Sequence, residues 1–109
     1  MTYERGEVFL AELPRIGHKP VVIVSARAVN LALADVIAAR VTSVERERSL
    51  PTYAALDPGD VEGLPLPSYV VCHDLWTLPK GRLVKSLGIL PPNRLVDVER
   101  GLKAALDLT

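Results

Sequence analysis

Six short apolar segments followed by one stretch of helical period predict a mainly β fold with a C-terminal helix. The strands should form a small, curved antiparallel sheet or barrel that the helix closes or covers. Two observations carry this. Nine prolines and seven glycines cut the chain into short runs rich in β-branched and apolar residues. After Pro91-Pro92 the apolar period changes, and Leu95, Val98, Leu102, Ala105 and Leu106 recur three and four residues apart, as on one helix face.

Each element has its own justification. Gly6 to Leu13 alternates, with Val8 and Leu10 on one face and Phe9 and Leu13 on the other. Pro14 and Gly17 end it. Pro20 to Ser25 is continuously apolar through Val24 and β-branched, the pattern of a strand buried on both faces, and its proline belongs at the start or an edge. Ala26 to Leu33 suits two helical turns. Val36 to Thr42 is a third strand and Thr52 to Leu56 a fourth, followed by an Asp-Pro-Gly-Asp turn at 57–60. Glu62 to Ser68 holds Gly63, Pro65 and Pro67 and reads as a connector. Tyr69 to His73 is a fifth strand, with Trp76 to Leu78 as its continuation past a kink, and Leu83 to Leu90 is a sixth. Pro92 suits the first helical position. Gly101, inside the helix, should cost about 1 kcal/mol against alanine.

One pairing can be argued from the residues on an assumed register. If the second and third strands pair antiparallel with Ser25 opposite Val36, Lys19 falls opposite Thr42. Opposed residues share a face, so a cation and a hydroxyl would meet at one end of the sheet. A slip of one residue would separate them.

Composition bounds the function. At 109 residues and 11.9 kDa the chain reads as one domain, large enough to bury roughly 65% of its unfolded surface. It is 49% hydrophobic and 24% charged, too apolar for a disordered tail. Thirteen basic residues balance thirteen acidic ones, which argues against coating duplex DNA by bulk charge and leaves room for a local basic groove. The lone Cys72 excludes an intrachain disulfide framework and a multi-cysteine zinc site, and fits a buried strand cysteine. There is no paired metal-ligand spacing and no glycine-rich phosphate loop. Short apolar runs and a polar N-terminus predict a cytoplasmic protein with no membrane partner.

Several segments, in order, resemble the MazF/PemK toxin family, small ribonucleases of toxin–antitoxin modules. They are Arg5 to Leu13, Gly17-His18-Lys19-Pro20 with Val21 to Ser25, and Ala39-Arg40-Val41-Thr42-Ser43. Leu50 to Tyr53, Gly63-Leu64-Pro65, Ser68 to Cys72, Thr77, Lys80, Arg82-Leu83 and Leu87-Gly88 follow. The resemblance spans nearly the whole chain, and its order and spacing are the specific part. It implies an SH3-like (CcdB/PemK-like) barrel, a homodimer and a small cognate antitoxin whose disordered tail folds onto the toxin. It also implies cleavage of single-stranded RNA without metal or other cofactor, by attack of a 2′-hydroxyl on the adjacent phosphate. The alternatives are a catalytically degenerate toxin or a CcdB-like gyrase poison on the same fold.

That reaction needs a base, an acid and donors to the phosphate. By resemblance, Lys19 stands where most members have an arginine. Lysine keeps the charge, loses the planar fork and adds a titratable proton. The bland reading is a solvated loop lysine. Thr42 matches the family's threonine at the end of the third strand, a donor to a phosphate oxygen, with Ser43 as a possible assistant. Its bland reading is a strand-end threonine. His18 follows Gly17 in the first loop, and imidazole suits proton transfer near neutral pH; a surface histidine is as good a reading. His73 or Asp74 matches an aspartate of related toxins, and only one of the two can point at the site. His73 as base with Lys19 as acid is a workable pair, set against a capped strand end. Trp76 replaces a family arginine and either stacks on a splayed base or packs in the core or an interface. Arg46 and Arg48, in a mixed-charge run, either touch RNA phosphates or sit in a solvated loop.

Overall fold

The computed structural model describes residues 3–43 and 50–109. Six strands make one antiparallel sheet: β1 (Glu7–Leu13), β2 (Gly17–Ile23), β3 (Asp35–Thr42), β4 (Tyr53–Leu56), β5 (Ser68–Pro79) and β6 (Leu83–Ile89). The spatial order is β4-β5-β3-β2-β1-β6. Two helices accompany them, the short α1 (Arg27–Ala32) and the C-terminal α2 (Pro92–Leu106). The expected barrel is an open sheet, with β4 and β6 as its edges. The connector after β4 spans the gap. Gly63 donates its amide to the Leu87 carbonyl on β6 at 2.8 Å. A side chain there would meet Leu87, because a Cβ would lie 2.7 Å from that residue's own Cβ and 2.8 Å from its carbonyl oxygen.

Strand alternation sends side chains to two cores. Val22, Val24, Ala39, Val41, Val70 and Cys72 pack beneath α2, which adds Val98, with Leu95 and Leu102 at its margin. Val21, Ile23, Val36, Ala38, Phe9 and Leu78 form a second core on the opposite face. The second strand is thus buried on both sides, as its continuous apolar run predicts. Leu106 departs from the expected helix face and is 53% exposed, because α2 ends there in a left-handed cap at Asp107.

Gly101 earns a different reading in three dimensions. A Cβ at this position would lie 2.6 Å from Cys72 Sγ. Its absence lets α2 settle onto β5, so the propensity penalty of glycine is outweighed by close packing.

A buried polar knot ties α1 to the sheet. The Ser25 hydroxyl donates to Asn30 Oδ1 and accepts from the Ile37 amide at 2.9 Å. Asn30 Nδ2 donates to the Tyr3 and Ser25 carbonyls at 2.8 and 3.1 Å. Every polar group in this knot has a partner, which is what burial requires.

Candidate active site

The site begins with a proline inside a strand. The β1–β2 hairpin turns through Arg15 and Gly17, both with positive φ (68° and 95°), and β2 already starts at Gly17. His18 and Lys19 are therefore strand residues opposite Glu12 and Ala11, not the loop residues that the sequence suggested. Pro20 sits within β2, opposite Leu10, rather than at its start. This is tolerated because of which way its nitrogen points. The Ile23 carbonyl accepts from Gly6, next to β1, whereas the Val24 amide donates to Ile37 on β3. Backbone polar groups alternate sides along a strand, so Pro20 points toward β3. Lacking an N–H, it cannot continue that ladder, and the β2–β3 register runs only from Ile23↔Ala38 to Val21↔Arg40. Beyond it, β2 stays paired to β1 while its β3 side opens.

That opening is a cleft of about 410 Å³ whose lining includes His18, Lys19, Arg40, Thr42 and Ser43, with Gly63–Leu66 as its apolar wall. The observed register has the same offset as the assumed one, so its extension places Lys19 opposite Thr42. Ser43 and Ser68 continue into a second cavity of about 460 Å³ bounded by Asp57 and Tyr69. Among the described residues no carboxylate lines the first cleft, which carries Lys19, Arg40 and His18. Such a surface suits an anion.

Arg40 is the residue that sequence reasoning passed over. Its signal was available: it is a charge within the otherwise apolar run Val36–Val41, two residues before Thr42 and hence on the same face. Its Nε lies 2.9 Å from Asp74 Oδ2 as an ion pair, without the alignment of a hydrogen bond. Asp74 reaches it because β5 bulges. Arg40 pairs with Val71 but its neighbour Ala39 pairs with Leu75, leaving 72–74 out of the ladder to β3. A bulge re-aims side chains in this way. Trp76 Nε1 donates to the other Asp74 oxygen at 2.9 Å, while the indole packs at the margin of the second core.

His73 lies elsewhere. Its Nδ1 is 2.7 Å from the Thr52 hydroxyl, and its ring meets Tyr53 edge-on at 5.3 Å. It does not line the cleft that holds Lys19. Tyr53 also meets Tyr69 at 6.2 Å, so an aromatic row runs along β4 and β5. His18 Nε2 is 3.9 Å from Glu12 Oε2, and Glu12 also pairs with Arg82. Arg46 and Arg48 lie outside the described residues. Cys72 is fully buried, and desolvation raises its thiol pKa to about 11, the profile of an inert core cysteine. Among the described residues no group of three or more His, Cys, Asp or Glu side chains could hold a metal ion.

Comparison with known proteins agrees with the fold. The family model for the PemK-like, MazF-like toxin of type II toxin–antitoxin systems matches residues 4–106. Endoribonuclease MazF4 of Mycobacterium tuberculosis is 38% identical over 104 residues, covering 95% of this chain and 92% of that protein. A solved mycobacterial endoribonuclease in complex with its cognate antitoxin superposes with a TM-score of 0.84 at 37% identity, covering 97% of this chain and 96% of the other. MazF from Deinococcus radiodurans, in a MazE–MazF crystal, shares the fold at 21% identity and a TM-score of 0.79, covering 100% of this chain and 99% of its own. On the strength of the match over residues 4–106, the chain belongs to the PemK-like, MazF-like toxin family of type II toxin–antitoxin systems.

Proposed function

We propose that the chain is the endoribonuclease toxin of a toxin–antitoxin pair and cuts single-stranded RNA in the cleft beside Pro20. The observation that carries this is the meeting of Lys19 and Thr42 in one cleft that no carboxylate lines among the described residues, in a chain 38% identical to a named endoribonuclease. The same kinship favours this reading over a gyrase poison.

The reaction is transesterification. The 2′-oxygen bonds to phosphorus and the bond from phosphorus to the 5′-oxygen breaks, leaving a 2′,3′-cyclic phosphate and a 5′-hydroxyl. His18, in the cleft wall, accepts the 2′-hydroxyl proton, and Lys19 donates a proton to the departing 5′-oxygen. The Thr42 hydroxyl, with Ser43 beside it, donates to a non-bridging oxygen as charge builds there. This assignment replaces the His73–Lys19 pair because only His18 shares the cleft with Lys19. The apolar wall of Leu64 and Leu66 and the ring of Tyr69 suit bases on either side of the phosphate.

The cognate antitoxin is the regulatory partner, by kinship with the toxin solved with its own antitoxin. A homodimer is supported by exposed apolar side chains at Ile16, Leu31 and Leu33. Its RNA substrate places the enzyme in the cytoplasm; no helix among the described residues is long and apolar enough to cross a membrane.

The test is incubation with a long, weakly structured RNA in excess EDTA, followed by mapping of new 5′ ends. Discrete cuts with 5′-hydroxyl ends, absent with Thr42→Ala, are the expected result. Intact RNA after incubation with the folded wild-type chain overturns the reading.

A further inference from the structure

We infer that Arg40 is the phosphate-binding guanidinium of the cleft, held in place by Asp74 and Trp76. This rests on the ribonuclease reading above and extends it to Arg40, to which the resemblance gave no role. Lys19 offers a point charge that can surrender its proton. A phosphorane needs, in addition, a charge that stays, and arginine supplies one with a planar fork that spans two phosphate oxygens.

Three observations assign that part to Arg40. It lines the same cleft as Lys19 and Thr42. It opposes Val21 across β2–β3, two residues from Lys19, and lies two residues from Thr42 along its own strand, so the three share a face. Its side chain is about two-thirds buried, 32% exposed, and Asp74 contacts it through Nε at 2.9 Å. A contact through Nε leaves the edge formed by the two terminal nitrogens as the phosphate-binding fork.

Asp74 and Trp76 are positioning residues. Asp74 holds Arg40 with one oxygen and accepts from Trp76 Nε1 at 2.9 Å with the other. The indole is anchored against the second core, so the chain of contacts from core to guanidinium is fixed at its far end. The β5 bulge exists at the residues that make this chain possible. The tryptophan and aspartate thus serve the phosphate through Arg40 rather than by touching RNA themselves.

The experiment first maps cuts made by the wild-type chain. It then uses a short RNA around one cut, with 2′-deoxyribose at the scissile nucleotide, for binding by fluorescence anisotropy across a salt series. Arg40→Gln should lower cleavage about 100-fold and reduce the slope of log K against log salt by about 0.7, one single-strand phosphate contact. Arg40→Lys should keep the salt slope and still lose cleavage, because the charge remains and the fork does not. Trp76→Phe should lower kcat about tenfold while KM and the melting temperature hold, and Asp74→Asn should do less harm than Asp74→Ala because it keeps an acceptor. Cleavage by Arg40→Gln within threefold of wild type, with an unchanged salt slope, overturns the assignment while the ribonuclease stands. A wild-type chain that neither cuts nor binds RNA overturns the ribonuclease reading itself.

Discussion

On the side of the sheet that α2 covers, the apolar side chains of Val22, Ala39, Val70, Cys72 and Val98 meet. On the other side, at the end of the same strands, Lys19, Arg40 and Thr42 face a cleft. Both sets alternate along β2 and β3, residue by residue. The difference is what fills the space where β2 and β3 cease to pair, beyond Val21↔Arg40. Under α2 the side chains close up, and Gly101 brings the helix so close that Cys72 Sγ would lie 2.6 Å from any Cβ there. At the cleft a proline withholds one donor, and the strands part. Stability comes from completing contacts, whereas the site exists because one contact is withheld.

The largest effect should come from the open side. Lys19→Ala should reduce RNA cleavage about 10²- to 10³-fold, the loss expected for a group that stabilises a transition state, with the melting curve unchanged; sequencing-based mapping of 5′ ends reads it. If the melting curve moves with activity, the cleft is part of the scaffold and the contrast between the two sides fails.

Gly101→Ala tests the closed side. Helix propensity alone favours alanine by about 1 kcal/mol, yet overpacking against Cys72 should destabilise the fold by a net amount of about 1–3 kcal/mol. Urea denaturation decides the sign. Cleavage per folded molecule should not change.

Pro20→Ala sharpens the boundary itself. The new amide points toward β3 and can extend the ladder by one pair. Hydrogen exchange should show that amide protected, and cleavage should fall several-fold as the cleft narrows (about 1 kcal/mol of hydrogen bonding favours closure). A freely exchanging amide with full activity would mean that the proline does not hold the strands apart.

The smallest effect lies in the turn after β4. Asp60 caps the Asp57 amide and pairs with Arg94 at 2.8 Å. The backbone hydrogen bond from Asp57, followed by Arg94, lowers its carboxyl pKa. A lowered native pKa means stability that is present above the usual carboxylate range and is lost as pH falls through the native value. Asp60→Asn should therefore be less stable than wild type at neutral pH, and the difference should vanish on acidification. A difference constant with pH would show that the carboxylate charge is not the cause.

Much of this architecture was legible in the chain. The double-sided burial of β2 follows from its unbroken Val21–Val24 run, and α2 from the recurrence of Leu95, Val98 and Leu102. The β2–β3 register was an assumption, since a strand apolar on both faces does not fix its own partner, and the observed Val21↔Arg40 pairing has the assumed offset. His73 was misleading, since strand position alone does not say whether a residue falls inside a bulge. Arg40 was overlooked because a lone charge in a strand has no meaning until its face is known. Gly101 looked like a local cost because its benefit lies across the core, in a residue almost thirty positions away.

The sequence by itself determined the strands, the closing helix and the kinship of the basic-Pro and Val-Thr-Ser segments, because these depend on local period and on short spacing. Only the tertiary structure decided that Pro20 faces β3, that the bulge at 72–74 turns Asp74 onto Arg40, and that His18 rather than His73 shares the cleft with Lys19. The physical reason is common to all three. The direction of a donor or a side chain at a strand's end depends on which neighbour the strand pairs with, and that neighbour is distant in the chain.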